Sequence, residues 1–169
     1  MELLIPGLLL VALMVWASTK IKKHAADAFE PEFIETEDYA LQKPDGFLHV
    51  IGDQEHELRA YSKGFGTDDN NGIRQATIEI DVFPATDLRS VRDSVRKAAT
   101  ESEVTTQATN VIELNTEESA NEMTVSAFYK IVAAEKQIYR LRFAVLPEYL
   151  EDHRSRIEET LDSFTIKTN

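Results

Sequence analysis

The chain has 169 residues, 43% of them hydrophobic, enough for one domain with a substantial core and too few for two comfortable ones. Its 30 Asp and Glu outweigh 18 Lys and Arg, giving a formal net charge of −12. Such a surface repels nucleic-acid phosphates over most of its area, so no nucleic acid is expected as a partner. The sequence holds no Cys, which rules out disulfides, thiolate metal ligands, a cysteine nucleophile and a lipidated cysteine.

In chain order, the first feature is an uncharged run from Leu3 to Ala17, LLIPGLLLVALMVWA, whose breakers Pro6 and Gly7 fall in the first two turns. As a helix, Leu3 to Ile21 spans roughly 28 Å, close to the ~30 Å of bilayer hydrocarbon. The run predicts a transmembrane anchor over residues 1–19, built on Leu3, Leu4, Ile5, Leu8, Leu9, Leu10, Val11, Leu13, Met14, Val15 and Trp16. Trp16 suits the interfacial aromatic belt, and Lys20, Lys22 and Lys23 suit the headgroup layer, with the lipid bilayer as partner. A cleavable signal peptide is the alternative: Ala17, Ser18 and Thr19 imitate its cleavage site, but only Glu2 stands where its basic residues belong. Lysines on the C-terminal flank predict that the remaining chain sits on the cytoplasmic side of an inner or plasma membrane. Residues 20–32 read as a helical stalk that Pro31 ends, and residues 33–169 as one α+β domain.

Within that domain, RQATIEIDVF alternates: Ala76, Ile78, Ile80 and Val82 face one way, Thr77, Glu79 and Asp81 the other. IYRLRFAV does the same, with Tyr139, Leu141, Phe143 and Val145 opposite Arg140 and Arg142. EMTVSAFYKIVA, joined to it across a short EKQ connection, predicts a long antiparallel hairpin. Weaker strands are expected at 38–42, 57–63 and 107–114, about six in a mostly antiparallel sheet. Helices are expected at 87–99, with Thr86 or Asp87 as N-cap and Leu88, Val91, Val95 and Ala98 on one stripe, and at 148–164, aligning Leu150, Ile157, Leu161 and Phe164.

This order, from DYALQKPDGF through AYSKGFG, ATIEIDVF, DLRSVRDSV and IYRLRFAV to the closing IEETLDSF, resembles the PsbP-like α/β/α sandwich group over about 130 residues. That group includes an extrinsic photosystem II subunit and a nuclear-transport factor that binds Ran. The resemblance implies the sandwich fold and a habit of acting as a binding accessory; it implies no catalytic residue.

Candidate chemistry is sparse. His24, His49, His56 and His153 show no metal-ligand spacing, and His153, between Leu150 and Ile157, reads as a partly buried structural histidine. GTDDNNGI, residues 66–73, lacks the full calcium-loop pattern and reads as a hairpin turn. No nucleophile elbow or phosphate loop is present in the sequence, so no metal, cofactor or enzymatic activity is expected. Arg89, Arg92 and Arg96 recur at helical spacing beside Lys97, a basic stripe suited to a carboxylate-rich partner or to anionic lipid. Together these features predict a non-enzymatic, membrane-anchored accessory or assembly subunit on a larger integral membrane complex, photosynthetic (reaction-centre or light-harvesting) or respiratory. The alternative is a membrane-tethered domain that binds or senses a small ligand between sheet and helix.

Overall fold

A computed structural model describes residues 13–16, 27–62, 74–84, 87–120 and 123–167. The described strands number ten, in two antiparallel sheets. The smaller sheet holds β1 (Glu32–Glu35), β2 (Tyr39–Lys43) and β10 (Thr165–Ile166) in the order β1-β2-β10. The larger has seven strands: β3 (Leu48–His49), β4 (Leu58–Tyr61), β5 (Ala76–Pro84), β6 (Glu101–Gln107), β7 (Val111–Ala120), β8 (Met123–Ala133) and β9 (Gln137–Val145), ordered β3-β4-β5-β9-β8-β7-β6. Helix α1 (Leu88–Ala98) links β5 to β6, and α2 (Leu150–Ser163) follows β9 through a 3-10 turn, Pro147–Tyr149.

Period-2 patterning explains the large sheet, because both its faces are covered in part. One face of β5 and β9 supplies Ile78, Ile80, Leu141 and Phe143, all 0% exposed, which pack with Ile157 and Phe164 from the α2 end and Leu41 from the small sheet. The opposite face of β7 and β8 supplies Ile112, Leu114, Tyr129 and Ile131, which pack under Val91 and Val95 of α1. The two helices therefore lie on opposite faces of one sheet, and each fully buried large apolar side chain contributes about 1.5–3 kcal/mol. The KPDG turn after β2 needs Gly46 at a φ of 82°, a left-handed conformation that glycine adopts freely. Lys43, 1% exposed, closes that turn by donating from Nζ to the carbonyls of Glu30 and Phe47.

Two sequence expectations are corrected here. The sheet of about six strands becomes ten strands in two sheets, because β1, β3 and β10 are two to four residues long and because the expected strand at 107–114 straddles the turn 108–110, giving the end of β6 and the start of β7. The expected N-terminal transmembrane helix is also overturned: among the described residues no helix is long and apolar enough to cross a membrane. Of the apolar run, Leu13, Met14, Val15 and Trp16 are among the described residues. Leu3, Leu4, Ile5, Leu8, Leu9, Leu10 and Val11, with Lys20, Lys22 and Lys23, lie outside the described residues, as does the stretch 66–73 expected as a hairpin turn.

Candidate functional site

Strand register builds a charged row on the α1 side of the large sheet. Arg59 of β4 stands opposite Glu79 of β5, Glu79 opposite Arg142 of β9, and Arg142 opposite Tyr129 of β8. The Arg142 guanidinium donates to Glu79 at 2.8 Å, to Glu118 at 2.9 Å and to the Tyr129 hydroxyl at 3.0 Å. Tyr129 in turn donates to Glu118, which also accepts from Thr116 at 2.8 Å. Burial pushes Glu118 upward, yet Tyr129 and Arg142 outweigh it and hold the carboxyl below its usual range. For Tyr129, burial is the first cause of a raised hydroxyl pKa, so both partners keep their ordinary ionisation at neutral pH.

Two residues along, a second row pairs Asp81 with Arg140, whose Nη2 lies 2.7 Å from Asp81 Oδ2 and whose guanidinium lies 5.0 Å over the Phe83 ring. The imidazole of His56 bridges the two rows: Nδ1 is 2.8 Å from Asp81 Oδ1 and Nε2 is 3.7 Å from Glu79 Oε1. An Asx turn presents this histidine, since Asp53 Oδ1 accepts from the backbone N–H of Glu55 at 2.8 Å and of His56 at 3.0 Å. The same backbone donors, His56 first, hold Asp53 below the usual carboxylate range. An open groove of about 510 Å³ runs past Asp53, His56, Asp81, Phe83 and Arg140. Both ring nitrogens of His56 face carboxylates, and both carboxylates face arginines, so the rows balance charge within themselves instead of presenting a free base. Among the described residues no group of three or more His, Asp or Glu is placed to hold a metal ion.

The sequence carries a signal for these rows: Glu79 and Asp81 on one strand and Arg140 and Arg142 on another share the polar phase of their runs, and opposite charges on facing strands attract.

The four residues of the expected docking stripe all lie on α1, away from the Val91 and Val95 face. Arg89, Arg96 and Lys97 are exposed; Arg92 is only 17% exposed and pairs with its neighbour Asp93 at 2.7 Å. Arg96 Nε reaches Ser102 Oγ of β6 at 3.3 Å, which ties the stripe to the edge of the sheet. Arg96 and Lys97 also complement the negative end of α1. His153 is buried, as its spacing indicated, with its ring 5.6 Å from that of Phe47.

A second groove, of about 550 Å³, opens on the opposite face of the sheet, between the β8–β9 turn and β10. Its floor is apolar, with Val111, Val132, Tyr139, Phe164 and Ile166; its rim carries Lys130, Lys136, Lys167, Asp38 and Glu135.

No protein-family model and no curated protein sequence matches this chain. Solved structures match it in fold. The solution structure of the cyanobacterial PsbP (CyanoP) of Synechocystis superposes with a TM-score of 0.51 at 7% identity, over 82% of this chain and 94% of that one. LpqN of Mycobacterium tuberculosis, described as involved in cell envelope biogenesis, superposes with a TM-score of 0.55 at 12% identity, over 82% of this chain and 91% of its own. The chain has the PsbP-like fold.

Proposed function

We propose that this chain is a non-enzymatic accessory domain that docks on a larger protein assembly through the cationic face of α1. The observation that carries the reading is the contrast between two sets of arginines. Arg140 and Arg142 are enclosed by carboxylates of their own sheet, whereas Arg89, Arg96 and Lys97 extend from a helix with no carboxylate bonded to them among the described residues. In a chain of net charge −12, a patch of one sign steers a complementary surface toward itself. The partner that fits is a carboxylate-rich face, and arginine offers it a bidentate fork. Sharing a fold with a cyanobacterial PsbP supports an accessory role and favours an energy-transducing integral membrane complex as the assembly.

The experiment is co-purification of the full chain in mild detergent, followed by reversal of the three exposed cations, Arg89→Glu, Arg96→Glu and Lys97→Glu. All three are exposed, so the variant is expected to stay folded, with a thermal midpoint lowered by a few degrees as two glutamates meet the negative end of α1, while losing its partners. Capture by the unaltered chain is expected to weaken between about 0.05 and 0.5 M salt, as the screening length falls from about 14 to about 4 Å. The same proteins recovered with the reversed stripe would sink the reading.

A further inference from the structure

The groove beside β10 is set apart from the α1 docking face, on the other side of the sheet, and its charge runs against that of the chain. Three lysines stand on its rim in a molecule with a formal charge of −12. Lys167 is engaged, with Nζ 2.7 Å from Glu35 Oε1 and 2.7 Å from the Thr36 carbonyl. Lys130 donates to the Leu161 carbonyl at 2.6 Å, near the negative end of α2, and neither it nor Lys136 forms an ion pair with a carboxylate among the described residues. Below this rim lies the apolar floor of Val111, Val132, Tyr139 and Phe164. A volume of about 550 Å³ falls within the ~300–1,000 Å³ of small-molecule sites.

We infer that this groove binds a free, single-chain amphiphile with a carboxylate head, of the fatty-acid type. The hydrocarbon lies over the Tyr139–Phe164 floor, where each methylene removed from water contributes. The head meets the ammonium group of Lys136 at the exposed β8–β9 turn, since Lys130 is already bonded to the Leu161 carbonyl. A free amphiphile fits better than a bilayer surface because Asp38 and Glu135 share the rim, and the acidic chain repels an array of anionic headgroups while it accepts one carboxylate at a rim lysine. The inference stands independently of the α1 docking face.

The test is isothermal titration of the full chain with sodium dodecanoate, kept below its micelle-forming concentration, with amide shifts mapping where it binds. Acetate supplies the head without the chain, dodecyltrimethylammonium the chain with the opposite head, and vesicles of phosphatidylglycerol and phosphatidylcholine the bilayer. Saturable one-to-one dodecanoate binding is expected, with shifts at Val111, Lys136 and Phe164, and no binding of the other three. Lys136→Glu, at an exposed turn, is expected to weaken binding about three- to tenfold. Val111→Trp, which fills the groove, is expected to weaken it further; should that variant fold poorly, Lys136→Glu decides alone. Equal binding of dodecyltrimethylammonium, unchanged affinity in Lys136→Glu, or binding to vesicles alone would each overturn the inference.

Discussion

His153 puts an ionisable ring where the core has no room for its charge. It is 6% exposed, packs edge-on to Phe47, and its Nδ1 has no hydrogen-bond partner among the described residues. Burial, helped by nearby Arg156 and opposed by Asp152, lowers its pKa below the ordinary 6.5. The unfolded chain therefore binds a proton that the folded chain refuses as pH falls through 6.5, so stability drops on acidification until the folded pKa is passed. Replacing His153 with Leu, close in volume and without a polar atom, is expected to flatten that dependence; urea midpoints at pH 7.5 and 5.5 measure it. A variant as acid-sensitive as the parent would assign the effect elsewhere. The burial of His153 was legible because it shares the stripe of Leu150 and Ile157. That of Lys43 was not: nothing in a lysine beside Pro-Asp-Gly announces that two carbonyls from separate segments will enclose it.

Among elements, the legible ones are those long enough to show a period. β5, β8, β9 and both helices run nine to fourteen residues, and their apolar phase states which face is buried. β3 and β10 have two residues each and exist only because β4 and β2 offer hydrogen-bond partners. β6 hid for another reason. All seven of its residues are exposed, so hydrophobic patterning carries no trace of it, and the turn to β7 lacks glycine and proline. Its outer edge has no strand partner among the described residues. Glu101, Glu103 and a register shift between Val104 and Thr106 blunt it, the usual defences against edge-to-edge pairing. Converting Glu101 to Thr and Glu103 to Val removes both charges and raises β propensity. The doubly substituted chain is expected to sediment as concentration-dependent oligomers where the parent does not. If its sedimentation matches the parent's at every concentration, the glutamates guard nothing.

At the scale of the whole molecule, the seven-stranded sheet is asymmetric: α2 and the small sheet bury an apolar face, whereas α1 covers only the β7–β8 part of the other. The remainder is occupied by charged rows, which let a half-covered sheet bring polar side chains to low exposure without leaving a charge unpaired. Arg142 is their hinge point, 15% exposed and bonded to Glu79 and Glu118, themselves 13% and 14% exposed. Breaking a buried pair from one side leaves the opposite charge without compensation, so Arg142→Met is expected to cost about 3–5 kcal/mol at pH 7. Arg154→Met, which removes an exposed pair with Glu151, is expected to leave the midpoint unchanged. The pH dependence separates lost charge compensation from lost packing. In the parent, Glu118 titrates below 4.5, so its stabilising contribution is present above 4.5 and is lost as pH falls through the folded value. Without Arg142, burial acts on Glu118 with less opposition, and protonating it relieves the variant. The stability gap between parent and Arg142→Met should therefore narrow as pH falls from 7 toward 4, read as converging denaturant midpoints. A gap that stays constant across that range would mean the arginine serves as packing volume and the rows are not an electrostatic unit.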